Sequence, residues 1–92
     1  MAEFLLEVYA TRTDPGAVDE AVRRAGAAAD SLASEGSHVR YVRSIFVPED
    51  ETCFYVYEAD SVDTVHEVAR RAGLCVDRIV EARSAEQGGD ES

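Results

Sequence analysis

The sequence has 92 residues, 46% of them hydrophobic, which is enough for one globular domain with a single core. Its formal net charge is -10, and all nine basic residues are arginine. We expect no binding to nucleic acid or to anionic membrane surfaces, because phosphate contacts require a positive surface.

The first part of the chain predicts a strand followed by a long helix. Over residues 3–9 the side chains alternate in polarity, which indicates a strand with one packed face. Asp14 followed by Pro15 is a typical helix start. Apolar residues then recur every three or four positions to about residue 34, and Gly36 is a natural terminator just beyond that end.

A β-hairpin is the supersecondary unit with the strongest local signal. Residues 38–47 and 52–59 are rich in valine, isoleucine, tyrosine and phenylalanine, which favour pleated, half-buried surfaces. Between them, the acidic residues that follow Pro48 supply a four-residue loop. The sequence therefore predicts strands two and three at these positions.

A second helix and a last strand follow the hairpin. The helix is predicted over residues 62–72, with Asp60 or Ser61 as its N-cap and Gly73 closing it. Residues 74–82 form the last strand, in which 79–82 has the clearest strand pattern.

The order β-α-β-β-α-β predicts a ferredoxin-like α+β domain over residues 1–83. Right-handed crossovers place both helices on one face of a four-stranded antiparallel sheet. Residues 84–92 contain no apolar anchor and are predicted to be a disordered acidic tail.

This topology leaves one face of the sheet without helices. We expect Cys53, Tyr55 and Tyr57 on that open face, together with Leu5 and Tyr9. A contiguous apolar patch on a single chain usually marks an interface. The sequence therefore predicts a homodimer joined through the sheets.

No apolar run is long enough to span a membrane and no basic leader is present, so we expect a cytoplasmic protein. Cys53 and Cys75 are interpreted as ordinary thiols, since nothing near either one favours a thiolate. No nucleophile elbow or phosphate loop occurs in the sequence. An enzyme is therefore less favoured than a binding protein.

A metal site is suggested by the spacing of three side chains in the second helix. Asp63, His66 and Glu67 are three and four positions apart, which puts them on one exposed face. Imidazole with carboxylates suits nickel or zinc. Three ligands on one helix leave the site open, and His38 from elsewhere in the dimer is a candidate fourth ligand. The competing interpretation is an ordinary solvated acidic face.

The alternative function is a binding module or enzyme of the dimeric α+β-barrel type that takes a small organic molecule in a cleft on the sheet. Tyrosines at a homodimer interface would give the same pattern. The candidate cleft residues are Tyr9, Tyr41, Arg43, Cys53, Tyr55 and Tyr57.

Two stretches of the chain, YVRSIFVPEDETCFYVYEAD and VARRAGLCVDRIVEA, resemble a known family. Its members are small nickel-binding, ferredoxin-like proteins that were formerly classed as a domain of unknown function. The resemblance extends over about residues 2–82. It implies a ferredoxin-like homodimer that holds a divalent metal at its surface, with nickel as the expected cofactor and a role in metal sequestration or response. Arg43 and Val68 depart from the family pattern, in which many members have histidine.

Overall fold

The protein is described by a computed structural model over residues 1–83, so the predicted tail at 84–92 lies outside the described residues. The predicted order of elements is confirmed. The elements are β1 (Ala2–Tyr9), α1 (Pro15–Ser34), β2 (Val39–Val47), β3 (Thr52–Ala59), α2 (Val62–Ala72) and β4 (Val76–Ala82), with a 3-10 turn at Pro48–Asp50 between β2 and β3. No helix among these residues is long and apolar enough to cross a membrane.

The four strands form one antiparallel sheet in the order β2-β3-β1-β4. Helices α1 and α2 pack against each other, and their buried side chains form one core with the sheet. The ferredoxin-like α+β fold is therefore confirmed. Because this fold has only two layers, one sheet face carries no helix.

The predicted helix ends are also confirmed. Asp14 caps α1 through its Oδ1 atom, which accepts a hydrogen bond from the Ala17 amide at 3.1 Å. Ser61 caps α2 in the same way. Gly73 ends α2 with φ = +69°, a left-handed conformation that a residue with a Cβ adopts at a cost.

The expected placement of Cys53, Tyr55 and Tyr57 on the open face is wrong. In the register of β1 with β3, Tyr55 lies opposite Leu6, and residues directly opposite each other share a face. Leu6 is in the core, so alternate residues of β3 point towards the helices as well. The exposed fractions of Tyr55 and Tyr57 are accordingly only 1% and 0%.

The composition of α1 explains why tyrosines occupy this layer. The buried face of α1 is largely alanine, including Ala25, Ala28 and Ala29. Such short side chains leave space between helix and sheet that the long phenol rings of β3 fill. One ring makes a specific contact as well, because the Tyr57 hydroxyl donates a hydrogen bond to the Ala25 carbonyl at 2.8 Å.

Candidate functional site

The predicted metal ligands on α2 lie near one another along the helix but do not form a complete site. Asp63 and His66 are exposed, and Glu67 is half-buried. The His66 side chain lies in a shallow groove between α2 and the start of β4, where Arg70 and Arg78 are also found. Among residues 1–83, no group of three histidine, cysteine, aspartate or glutamate side chains is arranged to hold a metal ion.

Glu67 is engaged by two arginines. Its Oε1 accepts from Arg70 Nε at 3.0 Å, and its Oε2 accepts from Arg71 Nε at 2.9 Å. Hydrogen bonds from Arg70 and then Arg71 lower the pKa of the Glu67 carboxyl below its ordinary value. A metal ion at Glu67 would have to displace these guanidinium groups, so this residue is a poor ligand.

The same contacts give Glu67 a structural role. Arg71 also forms a two-pronged pair with Glu35, with its Nη1 and Nη2 atoms 2.7 and 2.9 Å from the two carboxylate oxygens. Glu35 is the C-cap residue of α1, so the network connects the end of α1 to α2. The sequence itself indicates the pairing of Glu67 with Arg70 and Arg71, because these arginines stand three and four positions after it.

His38 lies near the start of α2. It directly precedes β2, its side chain is exposed, and its backbone carbonyl accepts a hydrogen bond from the Asp60 amide at 3.3 Å. Asp60 stands two residues before α2, so His38 is near the start of that helix. His66 lies further along it.

The six predicted cleft residues do not converge on one surface. Tyr41 faces the helices, where its ring packs edge-on against Tyr57 at a centroid distance of 5.6 Å. Arg43 lies opposite Val56 and belongs to the open face. Tyr9 is exposed at the end of β1. Because Tyr55 and Tyr57 also face the helices, the described residues form no tyrosine-lined cleft on the open face.

Burial determines the chemistry of the cysteine and tyrosines beneath the helices. Desolvation raises the pKa of the Cys53 thiol, so this thiol stays protonated near neutral pH. Desolvation also raises the pKa values of Tyr55 and Tyr57 above their ordinary value. These groups therefore offer neutral hydrogen-bonding atoms rather than a nucleophile.

An apolar band crosses the open face from one edge of the sheet to the other. Leu5 pairs with both Val56 and Val80, and Phe54 pairs with Ile45, so five apolar side chains are contiguous across four strands. Opposite charges flank the band. They form two ion pairs across neighbouring strands, Arg40 with Glu58 and Arg78 with Glu7.

Residues 10–82 match the family described as nickel responsive protein SCO4226-like. This match covers most of the chain. The chain belongs to the SCO4226-like family. No curated protein matches it, whereas a solved structure does: the crystal structure of SCO4226 from Streptomyces coelicolor A3(2) has a TM-score of 0.70 and 19% identity, and covers 91% of this chain and 99% of that chain.

The match to SCO4226 supports the ferredoxin-like fold, and the family is named for a response to nickel. Within this SCO4226-like chain, Val68 is completely buried between α2 and the sheet. Position 68 therefore belongs to the core and not to the exposed face of α2 that carries His66. Of the α2 residues that were predicted as ligands, His66 and Asp63 keep exposed side chains.

Proposed function

We propose that this SCO4226-like chain is a cytoplasmic, nickel-responsive protein that binds Ni²⁺ at an open site on α2. His66 is the anchoring ligand, and Asp63, one helical turn before it, is the second. The proposal is supported mainly by the exposed His66 imidazole, to which none of the described residues forms a hydrogen bond, in a chain whose family is named for nickel. Imidazole nitrogen suits Ni²⁺, and water completes the coordination.

The charge distribution favours a weak site. The net charge of -10 attracts divalent cations to the surface as a whole. Near His66, the guanidinium groups of Arg70 and Arg78 oppose this attraction, although Arg70 is paired with Glu67. Two protein ligands without a third hold a metal much less firmly than a closed site. We therefore expect rapid exchange rather than permanent retention.

Titration calorimetry of tag-free protein with NiCl₂ tests the site. We expect saturable binding of one ion per chain, which His66→Ala abolishes. His38→Ala is the matched control, because it removes an equally exposed imidazole outside the proposed pair. Unchanged binding by His66→Ala would contradict the site, and loss of binding in both variants would indicate a site formed between the two histidines.

We also propose that the protein is a homodimer joined through the open face. The apolar band supports this arrangement, since sheet faces of this kind are normally covered by a second layer. Ile45 lies in the band, and Val62 lies on α2 away from it; their exposed fractions are nearly equal, 42% and 43%. These two residues therefore form a matched pair for mutation.

Sedimentation velocity of the Ile45→Glu and Val62→Glu variants tests the dimer. A new carboxylate at Ile45 would be buried without a partner in the interface, so we expect this variant to be monomeric. Val62→Glu should remain dimeric. A wild-type monomer at all concentrations, or a dimer that survives the Ile45→Glu substitution, would contradict the arrangement.

A further inference from the structure

The last strand of the fold, β4, has a free edge. In the order β2-β3-β1-β4 it pairs with β1 on one side, and residues 1–83 form no strand on its other side. Its outward-pointing backbone N–H and C=O groups are therefore open to a further strand. The opposite edge of the sheet is β2, but α1 packs against that strand, whereas α2 packs against α1 and β3.

A groove of about 430 Å³ lies between α2 and β4, beside this free edge. Its apolar lining includes the half-buried side chains of Leu74, Val76 and Ile79 and the exposed side chain of Val62. Ile79 lies opposite Leu6, a core residue, so its side chain points to the helix-bearing side. The other lining residues are His66, Ala69, Arg70, Asp77 and Arg78. An extended peptide at such an edge gains backbone hydrogen bonds, and its alternate side chains can enter the groove.

Arg78 carries a loosely paired charge on the same edge. It stands opposite Glu7 of β1, and its Nε atom is 3.8 Å from the Glu7 Oε2 atom, which is too long for a hydrogen bond. On the opposite edge of the sheet, Arg40 is bound to Glu58 through Nε at 3.1 Å and through Nη2 at 3.0 Å. A strand added to β4 would place one residue opposite Arg78 on its free side, and a carboxylate there would pair with it.

We propose that the edge of β4 binds an extended peptide segment of a partner protein, which adds an antiparallel strand to the sheet. One apolar side chain of the peptide lies opposite Ile79, in the groove, and a glutamate or aspartate lies opposite Arg78. Residues 84–92 of this chain do not fit this description, because they contain no apolar side chain larger than alanine. The inference does not rest on nickel binding.

Amide NMR of the metal-free protein with the peptide acetyl-Thr-Thr-Val-Leu-Glu-Val-Thr-amide tests the site. We expect shifts in β4 and α2 and slower hydrogen exchange of the outward-pointing β4 amides. The Kd should be on the order of 0.1–1 mM, since a short flexible peptide must be ordered on binding. A peptide with lysine in place of glutamate should bind about two- to fivefold more weakly, as for the loss of an exposed ion pair. Absence of shifts at the solubility limit of the first peptide, or shifts without slower exchange in β4, would overturn the proposal.

Two pairs of variants locate the binding. Arg78→Gln should remove the difference in Kd between the two peptides, and Arg40→Gln should keep it, because it makes the same change on the other edge. The arginine side chains are similarly exposed, 66% and 60%. Val62→Glu should weaken binding of the first peptide by introducing a charge into the apolar wall of the groove. Ile45→Glu, on the open face, should bind this peptide like the wild type.

Three results would assign the binding elsewhere. Loss of binding in Ile45→Glu but not in Val62→Glu would mean that the peptide binds the open face. Equal effects of Arg78→Gln and Arg40→Gln would mean that the peptide responds only to the overall charge of the protein. Dissociation of a wild-type dimer by the peptide, measured by sedimentation velocity, would mean that a second copy of the chain binds the edge of β4. Each of these results would overturn the proposal.

Discussion

The contrast between Tyr55 and Tyr57 leads to a quantitative prediction about stability. The two side chains are two positions apart on β3, face the same helices and are equally buried. They differ in that only the Tyr57 hydroxyl reaches a strong acceptor, the Ala25 carbonyl. Replacing each by phenylalanine keeps the ring and removes one hydroxyl. The two variants therefore measure the hydrogen bond against a nearly identical background.

The expected cost of Tyr57→Phe follows from that one contact. A buried hydrogen bond contributes about 0.5–1.5 kcal/mol net. The Ala25 carbonyl lies inside α1 and keeps its intrahelical partner in the variant, so no buried acceptor is left without a bond. We expect a loss of about 1 kcal/mol, or about 4–8 °C in Tm for a domain of this size. Tyr55→Phe should change the stability by less than about 0.5 kcal/mol or increase it slightly, because its hydroxyl loses little.

Urea unfolding followed by circular dichroism provides the measurement, at one fixed protein concentration because the stability of the proposed dimer would depend on concentration. Equal slopes with different midpoints would show that the substitutions act on stability alone. A loss at Tyr55→Phe as large as that at Tyr57→Phe would refute the reasoning. It would mean that the Tyr55 hydroxyl has a strong partner.

Three further predictions concern helix ends and acid. Gly73→Ala should lower the free energy of unfolding by about 1–2 kcal/mol, because φ at this residue is +69°. Gly16→Ala should leave it unchanged, since a Cβ there makes only ordinary contacts. Equal losses in the two variants would contradict this account. Asp14→Ala should lower the free energy of unfolding by about 1 kcal/mol, because the N-cap of α1 is lost. Asp14→Asn should keep most of this free energy in the same urea unfolding assay. The pKa of the Glu67 carboxyl is lowered from 4.5 on folding, so its contribution is full above the unfolded value and is lost as the pH falls through the folded one. A urea midpoint that declines below about pH 4.5 more steeply in the wild type than in Glu67→Gln would support this, and parallel curves would not.

The element order could be predicted because each boundary has a local signal. The chain turns into α2 at a serine whose side chain caps the helix, and leaves it at a glycine that adopts a left-handed conformation. Such preferences act over a few residues and need no knowledge of the rest of the fold. The strands of the hairpin were predictable for the same reason.

The orientation of β3 could not be predicted from its own residues. Alternation shows that Tyr55 and Tyr57 share a face opposite Val56, but it does not show which face meets the helices. The register with β1 decides this, and the pairing of Leu6 with Tyr55 joins positions far apart in the sequence. Valine and phenylalanine on one face and tyrosine on the other made the wrong choice attractive. The alanine-rich face of α1 was the available clue, since it leaves room for long rings.

The metal prediction has a similar limit. Helical spacing correctly placed Asp63, His66 and Glu67 along α2, yet spacing alone does not show which partners a side chain has already engaged. Glu67 is held by two arginines on its own helix. Arginines stand three and four positions after Glu67 in the sequence. Had they been considered as ion-pair partners, Glu67 would not have been chosen as a metal ligand.

The last prediction follows from the positions of the proposed nickel site and the proposed dimer interface. His66 lies on α2, on the helix-bearing side of the sheet, whereas Ile45 belongs to the open face on the other side. The proposed site uses His66 and Asp63 of one chain, with water as the remaining ligands, so it does not require a second chain at the open face. It follows that the Ile45→Glu variant, which we expect to be monomeric, should bind nickel with the same stoichiometry per chain and the same affinity as the wild type in calorimetry. A loss of affinity in this variant would show that the site is shared between chains and would contradict coordination by His66 and Asp63 of one chain.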